Sequence, residues 1–368
     1  MGPGTLLLIA LAVIGYAYVG YPLICWLRAR LRPIAVLRKP IRPRVSIVIA
    51  AFNEARNICH KLQDLSQQSY PSELIEVVVA CDGSQDSTPE RAERVRHLFG
   101  SRLRVIALPE HRGKAAALDA AVAASTGEVL VFTDARQELS HNAVESLVEN
   151  FADPSIGAAG GELVLAGDAP VGAYWKYEAA LRRWESAAGS TVGVSGALYA
   201  LRRELWRPLP EETILDDVLV PMRARLAGRR VVLEPLAKAF DVAADNGREF
   251  GRKVRTLSGN FQLLALEPAL LLPWKNPSWF GLVSHKLMRL AVPYAMVTAL
   301  VAAAMLPAPW RVLLLGPQLM AYGLALARWI GHGQGSRLAR LCETVVMLNA
   351  AVVAGTIRFV RHGRRLQW

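Results

Sequence analysis

The chain has 368 residues, with 43 Lys plus Arg against 31 Asp plus Glu and a formal net charge of +12. Hydrophobic residues make up 52%, and the mean hydropathy is +0.24. That excludes a disordered chain. Its four cysteines, Cys25, Cys59, Cys81 and Cys342, form no CxxC pair, which argues against a disulfide framework or a structural zinc site.

From Thr5 to Leu27 no charged residue occurs. As a helix that run spans about 34 Å, enough for a bilayer core. It lacks the basic residues that open a cleaved signal peptide, so a retained membrane helix is expected. Arg28, Arg30, Arg32, Arg38, Lys39, Arg42 and Arg44 follow with no acid among them. Such a flank places the following residues in the cytoplasm and suits anionic lipid. The basic residues cluster beside the apolar run, so no nucleic-acid partner is expected.

Residues 45–245 read as an α/β domain. Val45–Ala51, Leu74–Ala80, Leu103–Leu108 and Glu128–Thr133 are β-branched, apolar runs that predict strands. Between them, Asn53 caps a predicted helix to Gln68, Thr88-Pro89 opens another, and Lys114–Ala124 forms a third. Alternation of strand and helix predicts a mostly parallel sheet, with ligands at the carboxyl ends of its strands. That rule gathers Asn53-Glu54, Asp82-Gly83-Ser84 and Asp134. No glycine-rich turn follows the first strand and no GxxxxGK[ST] occurs, which argues against dinucleotide and P-loop chemistry.

Several residues then stand out, each with a plain alternative. Asp82 is a turn residue or a carboxylate for a nucleotide's base or ribose. Asp134, directly after a buried strand, must be paired or solvated and could hold a hard cation. Asp216 and Asp217 suit a helix start, and their mutual repulsion raises one pKa and makes a better base. Lys114 lies at a helix N-terminus, where the dipole disfavours a cation unless an anion compensates. Arg252, Lys253 and Arg255 form a basic helix face that meets lipid headgroups or a diphosphate.

Beyond these, Leu263–Phe280 is apolar but broken by Pro268, Pro273 and Pro277, which suggests an interfacial segment. Leu290–Trp310 and Val312–Ala327 are further uncharged or nearly uncharged runs. Leu341–Ile357 is weaker because it carries Glu343 and Asn349. If all four segments cross, Arg358, Arg361, Arg364 and Arg365 lie outside, against the positive-inside rule. A last segment that re-enters or lies in the interface avoids this.

Taken together, VSIVIAAFNEARNI, VVVACDGSQDST, RGKAAALDAAVAASTGEVLVFTDA, VSGALYALRREL and LDDVLVPMRARLAG resemble a membrane-embedded family 2 glycosyltransferase with a GT-A fold. Its relatives include cellulose, chitin, hyaluronan and poly-N-acetylglucosamine synthases. The resemblance implies a Rossmann-like, mostly parallel α/β domain at residues 45–245. A membrane helix (1–27) and a basic linker (28–44) would precede it. Interfacial helices (246–285) and membrane helices (286–368) would follow.

It also implies roles. Asp217 would be the catalytic base. Asn53, Glu54, Asp82, Lys114, Asp134, Arg136, Arg252 and Arg255 would face the nucleotide-sugar donor, with Gly196 and Asp216 on the acceptor side. Asp134 would hold a divalent cation, Mg2+ or Mn2+. The implied reaction inverts a sugar as it passes from a UDP-sugar to a polysaccharide or lipid-linked acceptor, at the cytoplasmic face of the inner or plasma membrane.

Two departures weigh on this. Arg136 replaces the second aspartate of the DxD motif, removing a metal ligand and adding a cation. In the QxxRW motif Arg252 replaces glutamine and Thr256 replaces tryptophan, which argues against processive synthesis. The competing reading is a membrane-anchored nucleotide-sugar-binding or regulatory protein with a degenerate transferase domain.

Overall fold

The computed structural model describes residues 1–166, 172–242, 246–332 and 335–364. Arg365 and the expected domain boundary at 245 therefore lie outside the described residues.

One continuous helix, α1 (Pro3–Leu31), opens the chain. Strands β1 (Val45–Ala51), β2 (Ile75–Asp82), β3 (Leu103–Leu108) and β4 (Val129–Thr133) alternate with α2 (Ile58–Ser66), α3 (Thr88–Arg94) and α4 (Lys114–Ala123). Then come β5 (Glu138–Leu139), α5 (Ala143–Glu149), β6 (Ile156–Ala166), α6 (Gly172–Ala187), β7 (Leu198–Arg202), α7 (Asp216–Leu226) and β8 (Arg230–Val242). The last helices are α8 (Asn246–Leu266), α9 (Trp279–Ala304), α10 (Trp310–Trp329) and α11 (Arg337–His362).

The sheet runs β3-β2-β1-β4-β7-β6-β8-β5. Strands β1 to β4 pair in parallel, β7 is antiparallel to both β4 and β6, and β8 is parallel to β6. The parallel core follows from strands that are apolar on both faces. Ile47, Ile49, Val77 and Val79 enter the core on one face, while Val48, Val78, Leu130 and Phe132 enter the core on the other. Period-two alternation thus feeds two cores, each covered by helices.

Two local expectations change. The helix after β1 starts at Ile58, and Asn53 does not cap it. Asn53 is left-handed (φ 54°), and its Oδ1 accepts the Gln85 N–H at 2.9 Å. The 53–57 turn is spent on the neighbouring loop. Strand β2 also runs two residues past Ala80, because Cys81 stays in register with Ala51 of β1. Asp82 is therefore the last strand residue.

Among the described residues, four helices are long and apolar enough to cross a membrane: α1, α9, α10 and α11. Small residues let α1 and α9 approach, with Leu7 and Ala10 against Ala299, Ala302 and Ala303. Helix α9 begins at Trp279, before the uncharged run at Leu290, because its first turns carry His285 and Lys286 toward α6 and the cavity. Helix α11 is unbroken from Arg337 to His362 and long enough to cross a membrane. Its Glu343 pairs with Arg328 of α10, so the acid that weakened the sequence signal is neutralised within the helix layer. Of the basic linker, Arg38 pairs with Glu149 at 2.7 Å and Glu234 at 3.1 Å, and Arg42 pairs with Glu145 at 2.7 Å. Arg28, Arg30 and Arg32 stay exposed.

Candidate active site

A cavity of about 790 Å³ lies at the carboxyl ends of the central strands and reaches the membrane-length helices. Its nucleus is Lys114, at the first residue of α4. The Lys114 ammonium lies 3.1 Å from Asp134 Oδ1, just past β4, and 3.4 Å from Asp216 Oδ2, at the start of α7. Burial alone would depress that ammonium, but Asp134, Asp216 and Asp217 override it and hold it well above the usual lysine range. The anion expected beside this helix-terminal cation is thus supplied by the protein's own carboxylates.

Burial pushes Asp216 up to about 6, Lys114 opposes, and Asp217 and Asp134 add to the rise. Burial likewise raises Asp217, against Lys114 and Lys286. Asp217 Oδ2 accepts the Gly196 N–H at 3.2 Å, which ties the loop before β7 to the first turn of α7.

Asp82 is buried, and both its oxygens are used within the fold. Oδ1 accepts the Arg112 N–H at 2.9 Å, Oδ2 accepts the Gly113 N–H at 2.8 Å, and His111 Nδ1 lies 2.8 Å from Oδ2. The carboxylate fixes the 111–113 loop, and His111 then stacks on Phe52 with ring centroids 4.0 Å apart. This requires Gly83 opposite: a Cβ there would come within 2.3 Å of the His111 nitrogen, and its φ is +61°.

Glu54 lines the cavity, whereas Asn53 is exposed at its edge, bonded to the 84–85 turn. Arg136 is exposed on the cavity wall, followed by buried Gln137, whose amide donates to Asp241 at 2.7 Å. Lys61 supports that turn from below, donating to the Gln137 carbonyl at 2.7 Å. Arg252, Lys253, Arg255 and Thr256 of α8 close the opposite wall. Arg255 is held below the usual arginine range by burial first, then by Arg252 and Arg358. The structure thus brings every expected site residue except Asn53 to or against one cavity, Gly196 included.

Sequence reasoning missed Phe52, inside the stretch VSIVIAAFNEARNI, and His111, one residue before RGKAAALDAA; neither belongs to a charge pattern. It also missed Arg182, His285 and Lys286, which share no local pattern with the strand-end residues.

The metal expectation can be tested on the donor set. Asp134 already holds Lys114, residue 136 is arginine, and among the described residues no three His, Cys, Asp or Glu side chains gather as a metal site. These residues do not fit a divalent cation held by several protein carboxylates.

Comparison with known proteins agrees with this geometry. The family described as Glycosyl transferase family 2 matches residues 46–207. An N-acetylglucosaminyltransferase from Rhizobium leguminosarum bv. trifolii is 32% identical over 126 residues, 34% of this chain and 69% of that protein. A poly-beta-1,6-N-acetyl-D-glucosamine synthase from Staphylococcus aureus (strain COL) is 24% identical over 234 residues, 60% of this chain and 55% of that one. The chain thus spans about half the length of such synthases. Among solved structures, the mannosyltransferase PcManGT from Pyrobaculum calidifontis, in complex with GDP-Man and Mn2+, superposes with a TM-score of 0.77. It is 28% identical, and the match covers 96% of this chain and 99% of that one. A GT-A sheet, the strand-end carboxylates and these relatives lead to one assignment: the chain belongs to glycosyltransferase family 2 and is a family 2 glycosyltransferase.

Proposed function

We propose that this enzyme transfers a sugar, with inversion, from a nucleoside diphosphate sugar to a lipid-linked or polysaccharide acceptor at the cytoplasmic face of a membrane. The observation that carries the reading is the single cavity lined by Asp82, Lys114, Asp134, Asp217 and Arg255 and continued by residues of α1, α9 and α11. Asp217 is the general base. Its raised affinity for a proton suits removal of one from an acceptor hydroxyl. As that oxygen attacks C1 of the sugar, the bond from C1 to the diphosphate breaks and the nucleoside diphosphate leaves with the electron pair. One displacement from the opposite face inverts the anomeric carbon.

Arg136, Arg252 and Arg255 supply positive charge for the diphosphate, in place of a carboxylate-rich metal cage. Lys114 orders the Asp134 and Asp216 carboxylates on either side of it. The stacked Phe52–His111 pair offers the nucleoside a flat surface, set in place by Asp82. The exposed Arg28 and Arg30 in the last turn of α1, and Arg32 just after it, hold the domain at the cytoplasmic side.

Two donor classes follow from different observations. The family resemblance implies a UDP-sugar, whereas the Pyrobaculum calidifontis mannosyltransferase that matches nearly the whole chain was solved with GDP-Man. The test is nucleoside diphosphate release by the protein in nanodiscs, screened over UDP- and GDP-sugars beside Asp217→Asn. Release from one donor class, reduced about a thousandfold in the variant, is the expected result for loss of a general base. Nucleotide binding with no release from any donor would favour the binding-protein reading.

A further inference from the structure

The membrane-side end of the cavity carries charges that the donor chemistry does not use. Glu178 and Glu185 of α6 are buried there and already paired, although Glu185 Oε2 has no hydrogen-bond partner among the described residues. His285 of α9 reaches Glu185 at 2.7 Å through Nδ1 and Glu178 at 3.3 Å through Nε2. Arg289 pairs with Glu178, and the Tyr21 hydroxyl donates to Glu185 at 2.7 Å.

Beside this cluster stand two further cations, Lys286 and Arg182, both lining the cavity. Neither forms an ion pair with a described residue. Arg182 lies one turn along α6 from Glu178 and stacks its guanidinium over Trp175 at 5.9 Å. Lys286 lines the cavity together with Asp217, the carboxylate whose charge acts on it most strongly. Both cations are half-buried, and an anion entering the cavity would add a counterion between them. An ammonium and a guanidinium lining one cavity are suited to phosphate.

From this corner the same cavity continues to Tyr18 of α1 and to Leu348, Asn349 and Val352 of α11, on two helices long and apolar enough to cross a membrane. A free anion has no use for that apolar continuation, but a lipid has.

We infer that the Lys286–Arg182 corner is a phosphate site for a lipid acceptor, with the phosphate held by the two side chains and the hydrocarbon lying along α1 and α11. This rests on the transferase reading above and narrows its acceptor to a phosphate-bearing lipid that carries its reacting hydroxyl beyond the phosphate, at Asp217.

The test is direct binding, by tryptophan fluorescence of the full chain in detergent, of a polyprenyl monophosphate, the matching polyprenol and inorganic phosphate. The lipid phosphate is expected to bind at least about tenfold more tightly than the polyprenol. Lys286→Gln and Arg182→Gln should each weaken the lipid phosphate about tenfold and leave the polyprenol unchanged, with Lys286→Arg restoring binding. Equal binding of polyprenol would overturn the inference, as would inorganic phosphate binding as tightly as the lipid phosphate, or both glutamine variants binding normally. Nucleoside diphosphate release by the wild type reports separately on the transferase reading. Lipid-phosphate binding without release from any donor would sink that reading alone, and release with equal polyprenol binding would sink this one alone.

Discussion

Replacing Lys114 with glutamine removes the cation at the centre of the carboxylate cluster while keeping most of the side-chain volume. The ammonium is 3.1 Å from Asp134 and 3.4 Å from Asp216, with side-chain exposures of 17%, 32% and 5% for Lys114, Asp134 and Asp216. Breaking a buried pair from one side costs about 3–5 kcal/mol, and the part-exposed Asp134 places this case near the lower figure.

The pH dependence supplies the sign. Asp216 is raised to about 6 in the folded protein. A raised carboxylate costs stability as pH climbs from its unfolded value, about 4, through its folded value, and the cost is constant above that. Without Lys114 the folded value rises further, so the loss extends past neutrality. Lys114→Gln should therefore lower the unfolding temperature by about 6–12 °C at pH 8, from about 2–4 °C per kcal/mol, and by less than half of that at pH 5.5. Differential scanning fluorimetry of the detergent-solubilised protein at both pH values measures this. An equal shift at both pH values, or none at pH 8, would refute the electrostatic account of Lys114.

Other consequences follow from the same geometry. Arg136→Ala should lower kcat/KM for the donor about tenfold, and wild-type activity should persist in EDTA. Activity abolished by EDTA and unaffected in Arg136→Ala would show that a metal, not Arg136, carries the diphosphate charge. The acidic limb of the kcat/KM profile should lie above the ordinary carboxylate range near 4, since both Asp216 and Asp217 are raised. A limb at or below 4 would remove the basis for Asp217 as base. Gly83→Ala forces a Cβ against the 110–111 backbone and should cost about 2–4 kcal/mol, with a raised donor KM from displacement of the Phe52–His111 stack. Unchanged thermal stability and KM would show that the loop has room to move.

Much of this arrangement was legible in the chain. Strands β1, β2 and β4 are β-branched runs too apolar for any place but a buried parallel sheet, and that topology alone sends Asp82 and Asp134 to one edge. Asp216 and Asp217 were readable as a helix start that also holds two repelling carboxylates. Local signals misled where a residue's partner was distant. Asn53 has the side chain of a helix cap but spends it on Gln85. Glu343 looked like an obstacle to a membrane-length helix until Arg328 was found beside it.

What composition and periodicity could establish was the class of each segment: apolar helix, basic linker, alternating α/β domain, apolar helices again. Those properties depend on neighbours within a few residues, and hydrophobic burial acts on them directly. Which charges meet is a different matter. Lys114 joins residues from β4 and α7, and Glu178, Glu185 and His285 meet across separations of 100 residues or more. Their ionisation, and the direction in which the cavity opens toward α1 and α11, arise from how the sheet, α6 and the membrane-length helices pack. No local pattern encodes a distance between elements that touch only after the whole chain has folded.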